Sequence, residues 1–155
     1  MKVVSFTICP FVQRVTALLE AKGLHHADGA YELEFIKLSE KPQWFLKASP
    51  NGQVPILFTE DERVLFESDA ICEYLEDTSD PALFNEDPVL KAQERAWSYL
   101  ATKHYLVQCG AQSSKDHATL DERSAKLGKA FAKFEAVLGD TPFFAGDTPG
   151  MVDIA

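Results

Sequence analysis

The chain has 155 residues, 46% of them apolar, with 15 basic and 24 acidic side chains and a formal charge of -9. That is enough apolar content to bury a core in one domain or two small ones, with no metal or disulfide staple required. The acidic balance excludes nucleic acid and anionic membrane as main partners, because those surfaces are bound largely through clustered Lys and Arg, and no apolar run approaches membrane-spanning length.

Val3 to Ile8 reads as a strand, and Cys9-Pro10 marks a change to helix. Over 10–22 the residues Phe11, Val15 and Leu18 recur at i, i+4, i+7, with Gly23 as the natural stop. Pro10 suits the first helical position, where a missing N–H costs no helical bond. Cys9 thus falls at a helix N-terminus, where orphan amides and the helix dipole favour a thiolate over a thiol of ordinary pKa about 8.5. Such a residue is either a reactive thiol or a small apolar packing residue. Position 12, where a dithiol Cys-x-x-Cys oxidoreductase carries its resolving cysteine, is Val12. A reactive Cys9 therefore needs an external thiol.

Tyr31, Leu33 and Phe35 alternate with Glu32 and Glu34 in a second strand whose end, Ile36-Lys37-Leu38, shifts phase by one residue. Lys41-Pro42 opens a short helix bearing Trp44, Phe45 and Leu46, and Pro50-Asn51-Gly52 is a turn. Val54 to Phe58 and Val64 to Phe66 read as an antiparallel hairpin across the polar stretch Thr59 to Arg63. Ser68-Asp69 opens a helix with Ile71, Tyr74 and Leu75 on one face, ending near Asp77. The order β-α-β-α-β-β-α predicts a mixed four-stranded sheet, its first two strands parallel through a right-handed crossover.

Residues 78–87 lose periodicity and read as a linker, separating a domain 1–77 from an all-helical region 88–155. There, Leu90, Trp97, Leu100, His104 and Val107 trace one face of a long helix that begins at Pro88. A second helix spans about 119–138 with Leu120, Leu127, Phe131, Phe134 and Leu138 at heptad-like spacing. Gly150 to Ala155 resembles the first turn of another helix, with Gly150 as a weak N-cap and Asp153 at N3, so the chain reads as a fragment with an incomplete helical domain. Cysteines at 9, 72 and 109 form no disulfide framework, and with no signal segment the expectation is a soluble cytoplasmic protein.

Val54-Pro55 at a strand start is read as cis, which leaves the N–H and C=O of Val54 free to pair with a peptide backbone, although an ordinary trans edge proline also fits. Glu67-Ser68-Asp69 suits an amino-acid head group: Glu67 or Asp69 for its ammonium, Ser68 and the helix amides for its carboxylate. The same residues also read as a plain cap. Lys41 is either a partner for a second carboxylate or a solvated lysine. Arg14, one turn past Cys9, either lowers the thiol pKa or, as expected, lies at the surface; Cys72 and Cys109 are expected in packing, and Tyr99 and Tyr105 either line a site or, as expected, belong to the core. No metal site is expected: His25-His26 cannot share a helix face, and no ligand spacing completes them.

Taken together, Cys9-Pro10-Phe11, Lys41-Pro42-x-Trp44-Phe45, the run Pro50 to Leu57 and the run Glu67 to Leu75 resemble the N-terminal thioredoxin-like domain of cytosolic glutathione transferases. The Cys-Pro-Phe and Lys-Pro-x-Trp-Phe pieces resemble the omega class. Phe143-Phe144-x-Gly146-Asp147 with Met151-x-Asp153-Ile154 resembles the family's turn into its sixth helix. The resemblance implies glutathione as cosubstrate and no metal. Cys9 would form the mixed disulfide with Phe11 beside it, Val54 would pair with the cysteinyl backbone, and Pro55 would be the cis proline. Glu67 and Ser68 would hold the γ-glutamyl end and Lys41 the glycine carboxylate. It further implies a homodimer acting on a small-molecule or protein-thiol second substrate.

The leading expectation is a glutathione-dependent thiol transferase or reductase. Conjugation or reductive elimination on an electrophile is an alternative, and a non-enzymatic interaction protein of the same fold is another.

Overall fold

The computed structural model describes all 155 residues, Met1–Ala155, which form two compact units, Met1–Ala82 and Leu83–Ala155. The first unit contains β1 (Lys2–Ser5), α1 (Pro10–Ala21), β2 (Glu32–Phe35), α2 (Gln43–Ala48), β3 (Ile56–Phe58), β4 (Val64–Phe66) and α3 (Ser68–Thr78). The sheet order is β2-β1-β3-β4, with β1 parallel to β2 and the other two pairs antiparallel.

Alternation along the strands distributes the core to both faces. Val4 and Ile56 point to one face, where they meet Ile36 and Phe45 of α2. Their neighbours Val3 and Leu57, partners in register, take the opposite face, and both are fully buried. There α1 and α3 pack together, with Val15, Leu18, Leu19, Ile71 and Leu75 inaccessible to solvent.

Three strands are shorter than the apolar runs predict. β1 stops at Ser5 because the Cys9 amide donates to the Phe6 carbonyl (3.3 Å) and closes a turn, leaving Ile8 75% exposed. β2 stops at Phe35, although the Ile36 amide still donates to the Ser5 carbonyl (2.8 Å). The phase shift there is real: Phe35 faces solvent and Ile36 is buried. β3 begins only at Ile56. α1 ends at Ala21, and Gly23 (φ 72) turns the chain out, its amide donating to Glu20 and that of Leu24 to Leu19. A short 3-10 turn over His26–Asp28, without a periodic signature of its own, precedes β2.

The second unit holds α4 (Pro88–Gln112), α5 (His117–Leu138) and α6 (Met151–Ile154). The Asp87 carboxylate caps α4 through the amides of Val89 (2.8 Å) and Leu90 (3.1 Å). Asp116 caps α5 through the amide of Thr119 (2.8 Å), which starts that helix at His117, two residues ahead of the expected start at 119. Phe134 of α5 packs edge-on against Trp97 and His104 of α4 and against Phe144, with centroid separations of 5.5, 5.9 and 6.4 Å. Leu120 and Phe131 remain exposed, so the heptad-like face is only partly used. Tyr99 is exposed too, contrary to its expected place in a core.

Gly150 is not simply a weak cap. A side chain there would meet the Ala145 methyl at 2.8 Å, so the usual serine or threonine would force a shift. Asp153 holds the turn instead, accepting from the amides of Gly150 (2.8 Å) and Phe144 (3.1 Å).

Candidate functional site

Cys9 is the N-cap of α1, in extended conformation, with its carbonyl accepting from the amides of Val12 (3.2 Å) and Gln13 (3.0 Å). Pro10 takes the first helical position and Phe11, half-buried, the next. The Cys9 side chain is almost fully enclosed, and its Sγ lies 4.0 Å from the Val54 carbonyl oxygen. Val12, one turn on, is buried in the core, so no second thiol faces Cys9 from its own helix.

The Val54–Pro55 peptide is cis. Val54 precedes β3 and is outside the ladder, and its amide donates to no group of the chain. The Val54 N–H is thus left without a partner in the chain, as at a free strand edge, while its C=O is met by the Cys9 thiol. The approach to Val54 is set by the Pro50–Gly52 turn. Ser49 Oγ donates to the Gln53 carbonyl (2.8 Å) and accepts from the Gln53 amide (2.9 Å). Gly52 has φ 59, and a side chain there would stand 3.6 Å from Lys41 Nζ, so the Lys41 ammonium lies against this turn. Lys41 is half-buried and has no carboxylate partner within the chain.

The α3 start differs from the predicted cap. Glu67, not Ser68, is the N-cap, at φ 68 and ψ 120, a conformation that non-glycine residues avoid and that costs of order 1–3 kcal/mol. No side chain caps the helix. The first-turn amides and the buried Ser68 hydroxyl therefore keep their hydrogen-bonding capacity for a ligand, and Glu67 is exposed beside them. Lys41, Glu67 and Ser68 form no hydrogen bond or ion pair with one another or with Cys9.

Two ion pairs of this unit were not legible in the sequence. Arg14, expected at the surface, is buried and paired with Asp69 in the first turn of α3. Lys22 is enclosed at the end of α1, with Nζ 2.7 Å from Glu76 Oε2 and donating to the carbonyls of Ser79 (2.7 Å) and Pro81 (2.8 Å). Both cations occur on an otherwise ordinary amphipathic helix, where a lone Arg or Lys reads as solvated.

Cys72 is buried in α3 as expected, whereas Cys109 is half-buried. Burial pushes the Cys72 thiol up to about 12, with Asp69 and Glu73 raising it further and the Arg14 guanidinium opposing them. The folded state thus holds this proton more tightly than the unfolded chain. The resulting stability is fully present below the ordinary value of 9.0 and is lost as pH rises from there toward about 12. Tyr31, also raised to about 12 chiefly by burial, adds its own loss only above 10.0. Urea midpoints at about pH 8, 9 and 10 are therefore expected to fall in the parent, and to fall less in Cys72→Ala. Equal slopes would show that Cys72 does not carry the effect.

No group of three or more His, Cys, Asp or Glu side chains is arranged to hold a metal. What the first unit offers is one enclosed thiol at a helix start, a peptide N–H without a partner beside it, and separate cationic and helix-terminal sites. With a helical unit following, this is the architecture of a single-thiol, thioredoxin-like domain joined to an all-helical one.

Comparison with known proteins gives the family. Residues 8–78 match the model of the glutathione S-transferase N-terminal domain and residues 88–155 that of the glutathione S-transferase C-terminal domain, so the chain belongs to the glutathione S-transferase family. It is 33% identical to rat glutathione S-transferase omega-1 over 99% of its own length and 63% of that protein's. The chain thus spans under two thirds of the curated relative. Glutathione transferase Omega 3C from Trametes versicolor superposes with a TM-score of 0.88 at 26% identity, over 99% of this chain and 64% of that one. A rice glutathione S-transferase solved in complex with glutathione superposes at 0.84, also at 26% identity, over 99% and 71%.

Proposed function

We propose that the chain is a glutathione-dependent thiol transferase of omega type, working through a mixed disulfide on Cys9. The observation that carries the reading is Cys9 Sγ at the α1 start, 4.0 Å from the Val54 carbonyl, with Val12 where a resolving thiol would stand. The Cys9 thiolate attacks the glutathionyl sulfur of a glutathionylated substrate. One S–S bond breaks, the substrate leaves as a thiolate and takes a proton, and Cys9 carries glutathione. A second glutathione thiolate attacks the glutathionyl sulfur of that disulfide, glutathione disulfide leaves, and Cys9 is restored. One free glutathione is consumed for each substrate released, the other half of the glutathione disulfide coming from the substrate's own glutathionyl group.

Val54 pairs with the cysteinyl backbone next to cis Pro55, Glu67 and Ser68 hold the γ-glutamyl end, Phe11 lies beside the thiol, and Lys41 neutralises the glycine carboxylate. The binding domain is residues 1–77, joined by 78–87 to the helical domain from 88. The protein is cytoplasmic and homodimeric, with a small-molecule or protein-thiol second substrate. Support comes from the glutathione complex of the rice relative and from the omega-class names among the curated relatives.

Titration calorimetry with glutathione tests the assignment. Removing one charge-assisted contact costs about 1.5–3 kcal/mol, so Lys41→Ala is expected to raise the Kd for glutathione about tenfold or more. An unchanged Kd would remove Lys41 from the site, and no binding by the parent would overturn the function.

A further inference from the structure

Lys2 stands in no role assigned so far. It lies at the start of β1, in register with Phe58 of β3, on the sheet face that α2 covers. Its ammonium donates to Glu34 Oε2 of β2 (2.8 Å) and sits over the rings of Phe58 and Trp44, 5.0 and 5.2 Å from their centroids. Trp44 belongs to α2, which has only six residues and no side-chain cap. A helix that short does not persist on its own, so α2 is held by what its side chains meet. Phe45 is fully buried in the core, but one anchor leaves the helix free to turn about it. Trp44, tilted against Phe58 at 6.3 Å and in contact with the Lys2 ammonium, is the second anchor. Lys41, two residues ahead of α2, and Leu46 within it both reach the Pro50–Gly52 turn: a side chain on Gly52 would stand 3.6 Å from Lys41 Nζ and 3.5 Å from Leu46 Cδ2.

We infer that Lys2 is a positioning residue that acts on ligand binding through Trp44 and α2. By clamping Trp44 against Phe58 it fixes the rotation of α2, and thereby the place of the Lys41 ammonium against the Pro50–Gly52 turn. Glu34 keeps the Lys2 ammonium over the two rings rather than extended into water. Lys2 itself need not touch the ligand. The inference rests on the reading of Lys41 as partner of the glycine carboxylate and extends it: the strength of that contact is set from β1, on the sheet, rather than by the ligand's own surroundings.

The test is calorimetric affinity for glutathione and for its C-terminal amide, in which the glycine end carries no charge. The parent is expected to prefer glutathione by about tenfold or more. Lys2→Met and Trp44→Leu should each reduce that preference at least about threefold, and the two combined should reduce it no further than Trp44→Leu alone. Lys2→Arg, which keeps the charge and stacks on the same rings, should hold the preference within about twofold of the parent. A Lys2→Met variant that weakens both ligands equally and leaves the ratio intact would make Lys2 merely structural and overturn the inference. Full recovery of the preference when Glu34→Gln is added to Lys2→Met would overturn it too, by assigning the loss to the bare Glu34 charge instead of to Trp44. Equal affinity of the parent for both ligands would overturn it together with the role of Lys41, while leaving glutathione binding standing. A parent that binds neither would overturn the function as well. If Lys2→Met does not fold, Trp44→Leu is read in its place, and an intact preference there contradicts the inference.

Discussion

Cys9→Ser is expected to reduce glutathione-dependent disulfide reduction by at least about a thousandfold, to the uncatalysed background. The reason is covalent rather than electrostatic: serine cannot form the mixed disulfide, and neither the Cys9 helix nor α3 offers an open second thiol. Val12 occupies the position one turn on, and Cys72 lies buried on α3 with its thiol pushed up to about 12. Glutathione binding should persist in the variant, because Val54, Lys41 and the α3 start are untouched. Coupled assay of a glutathionylated substrate, beside calorimetry for binding, separates the two effects. If Cys9→Ser keeps full reductase activity, the mechanism is wrong. A variant that conjugates an aryl halide faster than the parent would assign the site to conjugation, where a hydroxyl donor beside the glutathione thiolate serves better than a second thiol.

The other large effect concerns stability. Lys22→Met is expected to destabilise the first unit by about 3–5 kcal/mol, because it leaves Glu76 and two carbonyls in a buried place without their cation. The Lys22 ammonium forms an ion pair with Glu76 and donates to the carbonyls of Ser79 and Pro81, tying the end of α1 to the end of α3 and to the segment that follows. The penalty thus lies in the uncompensated partner more than in the lost attraction. Lys22→Met combined with Glu76→Leu should recover at least half of the loss, since an apolar pair of similar volume avoids the charge. Urea unfolding of both variants measures this. A single variant within about 1 kcal/mol of the parent would show that the pair is not holding α1 to α3.

The features legible from sequence are those whose chemistry is local. The Cys9-Pro10 helix start, the Pro50-Asn51-Gly52 turn and the hairpin across Thr59 to Arg63 each depend on residues within a few positions, and each occurs where the turn chemistry puts it. The mixed sheet followed by helices was legible from the order of apolar runs. Strand ends were not, because apolar content continues past the last ladder bond: Phe6 to Ile8 form the turn that delivers Cys9, and Val54 stands outside β3. The cap of α3 was displaced by one residue, since a serine ahead of a helix signals a cap while an N-cap at φ 68 has no sequence signature in a glutamate. Arg14 and Lys22 were missed for a different reason. Their partners, Asp69 and Glu76, are distant in sequence, and only the packing of α1 on α3 brings them together. A signal was present nonetheless: Arg14 and the C-cap Lys22 stand four residues either side of the buried Leu18, on the face that α1 buries.

The central claim is that Cys9 carries glutathione. The most direct measurement is mass spectrometry of the protein under non-reducing conditions after exposure to glutathione disulfide, followed by peptide mapping. One glutathione adduct is expected, on the peptide that contains Cys9, removed by a thiol reductant and absent from Cys9→Ser. An unmodified Cys9, or an adduct confined to Cys109, would contradict it.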